Sequence, residues 1–295
     1  MDILVVGAGS LGSLVGGLLA RAHDVTLVGR DPHVSAVRES GLRISGAVET
    51  TVWPGAMTTP PASADLAVVT VKAGDTASAA DTLADTALDA ALSLQNGMGN
   101  ETVLAERLSC PVLAGTCTYG ARLTGPGHVE CTGIGEIVLG ARDGGSSKLA
   151  DRVGAAFSDA DVQTTVAADM PRRLWEKLAV NAGINATTAL ARVENGALVD
   201  GPAGETARAA AREVARVARN EGVALSESVA AEAVADVAET TAANTSSMHQ
   251  DVLAGEPTEI DAINGYVVDR ADCQVPVNET LTDLIRAWEA SGGLR

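Results

Sequence analysis

The chain has 295 residues, 46% of them hydrophobic, which is enough for two ordinary domains with packed cores. It carries 38 Asp and Glu against 21 Lys and Arg, a formal net charge of −17, which repels nucleic acid and argues against it as a partner. Only Lys72, Lys148 and Lys177 are lysines and aromatics make up 2% of the chain; an acidic, lysine-poor composition of this kind points to a high-salt cytoplasm, where carboxylates keep a surface hydrated.

Residues 2–6 (DILVV) form a compact apolar run that ends in GAGSLG at 7–12, and the following SLVGGLLARAHDVTLVGRD reads as a helix and then a second strand. In that context the spacing Gly7, Gly9, Gly12 meets a physical need. It gives a sharp turn, close approach of the backbone to a pyrophosphate, and close packing of helix on strand, with the helix N-terminus facing the anion. Gly7, Gly9, Ser10, Leu11 and Gly12 are therefore expected to bind a dinucleotide. A chance glycine-rich turn is the bland alternative, and the strand-turn-helix context disfavours it. The second strand ends in TLVGRD, where Gly29 and Arg30 offer a small residue and a guanidinium suited to a 2'-phosphate, hence NADPH. Asp31 keeps NADH open, because a carboxylate there can accept ribose hydroxyls.

Two further runs, LAVVTVK (66–72) and ALSLQNG (91–97), read as strands that place Lys72 and Asn96 at their carboxyl ends, the edge where open parallel sheets bind ligands. Lys72 suits phosphate or ribose and Asn96 the nicotinamide end; a cation capping a strand and a turn-forming Asn-Gly are the plainer readings. Residues 110–140 read as strands with glycine-rich turns, followed by a helix around 146–157 and a last strand near VQTTVA. From Pro171 onward the pattern is long helix, with Asp169 placed to cap it and Pro171 at home in a first turn. The expectation is α/β: a Rossmann-type, mostly parallel sheet over 1–167 and an all-helical substrate domain over 168–295. Cys110, Cys117, Cys131 and Cys273 show no C-x-x-C pairing, so neither a zinc site nor a dithiol redox centre is indicated. No apolar stretch reaches membrane-spanning length and the N-terminus starts a strand, so a cytoplasmic protein without a membrane partner is expected.

The stretch LWEKLAVNAGINATTA (174–189) puts Lys177, Asn181 and Asn185 into an apolar run at steps of four, which drift only about 40° each around a helix and so share one face. Trp175, Leu178, Ala179, Ile184 and Leu190 are expected to supply its buried faces. A polar stripe in so apolar a helix faces water, a partner or a ligand, since such groups buried unpaired cost about 1–3 kcal/mol each. Two later clusters stay open between surface and site: NTSSMHQD (244–251), read as helical with Asn244, Ser247 and Asp251 at three- and four-residue steps, and PTEIDAINGYVV (257–268), where Glu259 is also a plausible first-turn acid.

GAGSLG, VKAGD, NGMG, LWEKLAVNAGIN, NTSSMHQD, TEIDAINGYVV and VPVNETL (275–281), in this order and over essentially the whole length, resemble the ketopantoate reductase (2-dehydropantoate 2-reductase) family. The glycine motif is common to many families; the lysine helix, NTSSM and TEID segments together are specific. The resemblance implies NADPH-dependent reduction of 2-dehydropantoate to (R)-pantoate on the way to coenzyme A. It implies Lys177 as catalytic acid, Glu259 as binder of the substrate hydroxyl, and Asn181, Asn185, Asn244 and Ser247 as substrate contacts. Asn96, Arg30 and Lys72 carry over as cofactor residues, Asn96 also reaching substrate. Glu256 and His249 depart from the family pattern. A homodimer is the assembly to test.

The chemistry agrees with this assignment. Reducing a 2-keto acid needs a proton donor beside the carbonyl oxygen, and an ammonium both stabilises the developing alkoxide and protonates it, which arginine does poorly. Two rivals stand beside this reading: another 2-keto-acid or imino-acid reductase of the same plan, and a noncatalytic dinucleotide sensor, which would not need the stripe at 177–185.

Overall fold

Ile3, Leu4, Val5 and Val6 are all buried, which makes β1 (Asp2–Val6) a strand covered on both faces, as the centre of a parallel sheet must be. It pairs in parallel with β2 (Asp24–Val28) and, on its other side, with a later strand, so that Val5 lies opposite both Leu27 and Val68. The computed structural model describes residues Met1–Arg295. They divide into two units, residues 1–95 with 100–170, and residues 96–99 with 171–295.

In the first unit, α1 (Ser10–Leu19), β2, α2 (His33–Ser40), β3 (Leu42–Gly46), β4 (Thr50–Val52), β5 (Gly55–Met57), β6 (Ser63–Val69), α3 (Thr76–Leu83), β7 (Ala87–Ser93) and α4 (Asn100–Arg107) follow β1. Then come β8 (Val112–Cys117), β9 (Gly120–Gly125), β10 (His128–Gly133), β11 (Ile137–Ala141), α5 (Lys148–Asp159) and β12 (Thr164–Val166). The main sheet has eight strands in the order β12-β11-β8-β7-β6-β1-β2-β5. All its pairings are parallel except β11 against β8. The strand expected over 91–97 is β7, which ends at Ser93, so Asn96 follows the strand instead of closing it.

Two of the strands expected within 110–140 do not join that sheet. β9 and β10 combine with β3 and β4 in a second, four-stranded sheet of order β4-β3-β10-β9, in which Ile44 of β3 pairs in parallel with Val129 of β10. It packs on α1: a Cβ at Gly17 would come within 2.8 Å of Ile44 and 2.9 Å of Leu42, so glycine there lets helix and sheet approach.

The second unit is helical: α6 (Met170–Ala191), α7 (Gly201–Asn220), α8 (Glu227–Thr240), α9 (Ser247–Ala254), α10 (Asn264–Arg270) and α11 (Pro276–Ser291). Trp175, Leu178, Ala179 and Ile184 are buried as expected, but Leu190 is 37% exposed. Ala182, Ala186 and Ala189 take the inward positions of the last turns, and one residue further on the helix has turned by about 100°. Small residues continue along α7, where Ala207, Ala210, Ala211, Ala215 and Ala218 are all fully buried. None of the helices is long and apolar enough to cross a membrane.

Candidate active site

The glycine turn is shaped by contacts that leave no room for side chains. Gly7 has φ +104°, and a Cβ on it would lie 2.7 Å from the Val71 backbone nitrogen. At Gly12 a Cβ would run into the Gly7 carbonyl oxygen and the Thr70 hydroxyl. Gly9 is the opposite case: an added Cβ would meet nothing nearer than the Gly7 oxygen at 4.0 Å. That open side leaves room for a pyrophosphate against bare backbone. No side chain caps α1, so the first-turn N–H groups of Ser10, Leu11 and Gly12 are free to face an anion. Ser10 Oγ accepts the Leu123 N–H at 3.0 Å, which ties β9 to the turn and leaves the hydroxyl proton to donate. These residues fit a dinucleotide diphosphate.

The sequence missed the residue that clamps this turn. Thr70, one residue past β6, donates its hydroxyl to the carbonyls of Gly7 (3.0 Å) and Val6 (3.2 Å). Nor was a buried relay beside Lys72 foreseen: Gln95 Nε2 donates to the Val71 carbonyl (3.0 Å) and to Thr76 Oγ1 (2.7 Å), and the Thr76 hydroxyl reaches Asn100 Oδ1 at 2.8 Å. It fixes the bend from which Lys72 projects, exposed. The only local hint was their place at the carboxyl ends of two parallel strands.

Beyond β2, Arg30 is 92% exposed in its side chain, with Asp75 Oδ2 at 3.9 Å. Asp31 turns away to α2, its Oδ1 accepting from the Ser35 hydroxyl (2.6 Å) and backbone N–H (3.1 Å). The Ser35 hydroxyl bond is the main reason its carboxyl lies below the ordinary value. The carboxylate that kept NADH open is thus engaged with its own helix, and the guanidinium is the group left facing solvent.

In the second unit, Lys177 and Asn181 are half-buried on α6 and Asn185 is buried. Asn185 Nδ2 lies 3.5 Å from Ser247 Oγ, and three residues further along α6 the Thr188 hydroxyl meets that of Ser246, just before α9, at 2.7 Å, so the start of α9 is pinned to α6 at two neighbouring points. Ser246 also caps α9 by accepting the His249 N–H at 3.2 Å. The helix therefore starts at Ser247, and Asn244, expected on it, lies in the preceding turn, where its carbonyl accepts from Asn195 N–H at 3.0 Å. The serine cap stops the helix from extending backward.

Asn96 belongs with this helical unit. Its Nδ2 donates to Glu259 Oε2 at 3.3 Å, while Met98 N–H donates to the Ala262 carbonyl at 3.0 Å. Gly97, at φ +78°, sits where a Cβ would be 2.6 Å from Ala262. The NGMG segment is thus seated on the turn that follows Glu259. That turn is 3-10 (Ile260–Ala262), with Glu259 at its N-cap. No group of His, Cys, Asp and Glu side chains is arranged to hold a metal ion. All four cysteines are free.

Fold and polar stripe together describe a two-domain dinucleotide oxidoreductase, and comparison with known proteins narrows this. The family described as "Ketopantoate reductase PanE/ApbA" matches residues 3–144, and "Ketopantoate reductase PanE/ApbA C terminal" matches residues 169–289. A 2-dehydropantoate 2-reductase of Halobacterium salinarum is 48% identical, covering 99% of this chain and 100% of its own length. The crystal structure of a PanE/ApbA family ketopantoate reductase from Ralstonia eutropha superposes with a TM-score of 0.90 at 34% identity, over 99% of this chain and 100% of that one. D-mandelate dehydrogenase in complex with NADH gives a TM-score of 0.90 at 25% identity, over 99% of both chains. The chain belongs to the ketopantoate reductase family.

Proposed function

We propose that this protein reduces 2-dehydropantoate to (R)-pantoate with NADPH, with Lys177 as the proton donor. The observation that carries the reading is the face of α6 on which half-buried Lys177 shares its stripe with Asn181 and Asn185, the last beside Ser247. The cofactor is a nicotinamide dinucleotide, which supplies the hydride when bound. NADPH is the finer reading, supported by the exposed Arg30 guanidinium and the engagement of Asp31 with Ser35. Gly7, Gly9, Ser10, Leu11 and Gly12 hold the diphosphate through backbone, and Lys72 adds a cation to it.

As the keto oxygen gains charge, the Lys177 ammonium stabilises it and then transfers a proton from Nζ to it. Asn181 and Asn185 orient substrate without competing for that proton. Ser247 donates to the substrate carboxylate, and Asn244 adds a contact from its turn. Glu259 accepts the 4-hydroxyl, with Asn96 holding its carboxylate in place. An analogue lacking that hydroxyl leaves the acceptor unpaired, which gives selectivity over simpler 2-keto acids. The likeness to D-mandelate dehydrogenase favours a second reading, a reductase of other 2-keto acids. Glu259 speaks against it, because an aromatic side group offers that carboxylate nothing.

The test is to incubate purified protein with 2-dehydropantoate and each reduced nicotinamide in strong KCl, where the acidic surface is screened, following cofactor absorbance. Substrate-dependent oxidation faster with NADPH than NADH is expected. Faster turnover of phenylglyoxylate, or oxidation of neither cofactor, would overturn the reading.

A further inference from the structure

Halfway along α6, Ala182 and Gly183 are held from two sides. Gly183 packs so closely on α7 that a Cβ there would lie 2.6 Å from the Ala207 carbonyl oxygen. The Ala182 carbonyl accepts from Asn264 Nδ2 at 3.0 Å, and the other hydrogen of the same amide goes to Asn278 Oδ1, also at 3.0 Å. Asn278 donates in turn to the Ala210 carbonyl (3.1 Å) and to the Glu213 carboxylate (2.8 Å). Glu213 closes the series by accepting the backbone N–H groups of Val277 (3.1 Å) and Asn278 (2.9 Å) in the first turn of α11, where the helix dipole favours a carboxylate.

Both asparagines are fully buried. The acceptors at the two ends, carbonyls and a carboxylate, have no proton to give, so the amides have only one workable orientation: Asn278 turns Nδ2 to α7 and Oδ1 to Asn264, and Asn264 turns Nδ2 to both its neighbours. The far side of Asn264 differs, since its Oδ1 is buried with no partner. An orphaned buried acceptor opposes stability, so what this residue contributes is its pair of donors.

We propose that Asn264 is a positioning residue for the reduction: it fixes the rotation of α6, and so the aim of Lys177, against the segment that carries Glu259. The proposal rests on the roles given to Lys177 and Glu259 above. Ala182 follows Asn181 directly and lies five residues, about 7.5 Å of helix rise, beyond Lys177. Asn264 follows Glu259 by five residues, across the turn whose Ala262 carbonyl holds Met98 and whose start holds Asn96. One side chain therefore joins the helix of the proton donor to the segment that would bind the substrate hydroxyl. Misplacement of reacting groups by about 1 Å costs up to about a hundredfold in rate.

The test compares wild type, Asn264→Asp, Asn264→Ala and Lys177→Ala in strong salt, measuring kcat and KM for 2-dehydropantoate across pH, and NADPH affinity by fluorescence. Asn264→Asp puts a carboxyl against two acceptors, so it is expected to lower kcat by about tenfold to a hundredfold at neutral pH. Its kcat relative to wild type should rise toward acid pH, as the introduced carboxyl gains a proton and donates. Asn264→Ala should lose kcat to a similar extent with a pH-independent ratio, and it carries the test if the aspartate variant does not fold. NADPH affinity should stay within about twofold of wild type in both, a shift of under about 0.5 kcal/mol. Asn264 variants with wild-type kcat and KM overturn the proposal, as does a parallel loss of NADPH affinity, which marks general loosening. If Lys177→Ala turns over like wild type, the assignment beneath the proposal fails as well; if Lys177→Ala is inactive while the Asn264 variants are normal, only the proposal fails.

Discussion

In the first unit most of the groups that would meet the cofactor diphosphate belong to the backbone, with Lys72 the side chain beside them: a turn at positive φ, three N–H groups at the start of α1, and glycines where a Cβ would strike the Gly7 carbonyl or Val71. In the second unit the groups proposed to do the chemistry are side chains, Lys177, Asn181, Asn185, Ser247 and Glu259, borne on different segments that hydrogen bonds hold in register. A backbone site is specified by what must be absent, and it is tolerant of everything except added atoms. A side-chain site is specified by what must be present. Removing one group there should abolish a step of chemistry while leaving the fold and the other unit's binding intact.

The sharpest way to break this contrast is Lys177→Ala. We expect turnover to fall at least about a hundredfold, the usual scale for a general acid, with NADPH affinity unchanged. Steady-state kinetics alongside a fluorescence titration check it, and near-normal turnover would remove Lys177 from the chemistry. The matching experiment on the backbone site is Gly12→Ala. One methyl group, placed against the Gly7 carbonyl and the Thr70 hydroxyl, adds strain of about 1–3 kcal/mol, which corresponds to a loss of cofactor affinity of about fivefold to a hundredfold if it falls on the bound state. The same variant should bind both nicotinamides worse by similar factors, because the diphosphate is common to them. Arg30→Ala should instead discriminate, weakening NADPH by about tenfold through loss of a charge-assisted contact while NADH changes little. Equal effects on the two cofactors would mean that the 2'-phosphate is held elsewhere.

The same contrast explains what could be read in advance. The spacing of Gly7, Gly9 and Gly12 announces a backbone need within six residues, and the four-residue steps of Lys177, Asn181 and Asn185 announce a helix face within nine. Both signals are local. The second sheet gave no such signal, because β3 finds its parallel partner β10 some 85 positions later, Ile44 against Val129, and strands of three to six residues carry little periodicity of their own. Asn264, Asn278 and Glu213 read as unremarkable polar residues on separate helices, and only packing shows that they form one series. The three- and four-residue spacing of 244–251 reads as a helix from Asn244, but the Ser246 cap starts α9 three residues later.

The smallest effect we expect comes from a buried titrating side chain packed against α1 in the first unit. His33, 8% exposed, sits between α1 and the turn before β10: Gly127 N–H donates to its Nδ1 at 3.1 Å, and its Nε2 lies 3.0 Å from Ser13 Oγ. A backbone N–H can only donate, so Nδ1 is the bare nitrogen, and Nε2 carries the hydrogen and donates to Ser13. Burial pushes the imidazole pKa below its ordinary value. The sign follows: in the range between the lowered folded value and the unfolded value of about 6.5, the unfolded chain binds a proton that the folded chain refuses, so stability falls as pH drops through it. Below the folded value the slope from this residue vanishes, and protonation then sets an N–H on Nδ1 against the N–H of Gly127. His33→Gln keeps an acceptor and a donor without the titration. In urea melts at fixed high salt, the wild-type midpoint should therefore decline below about pH 6.5 relative to that of His33→Gln, the carboxylates contributing equally to both. Parallel curves would show that His33 carries no linkage.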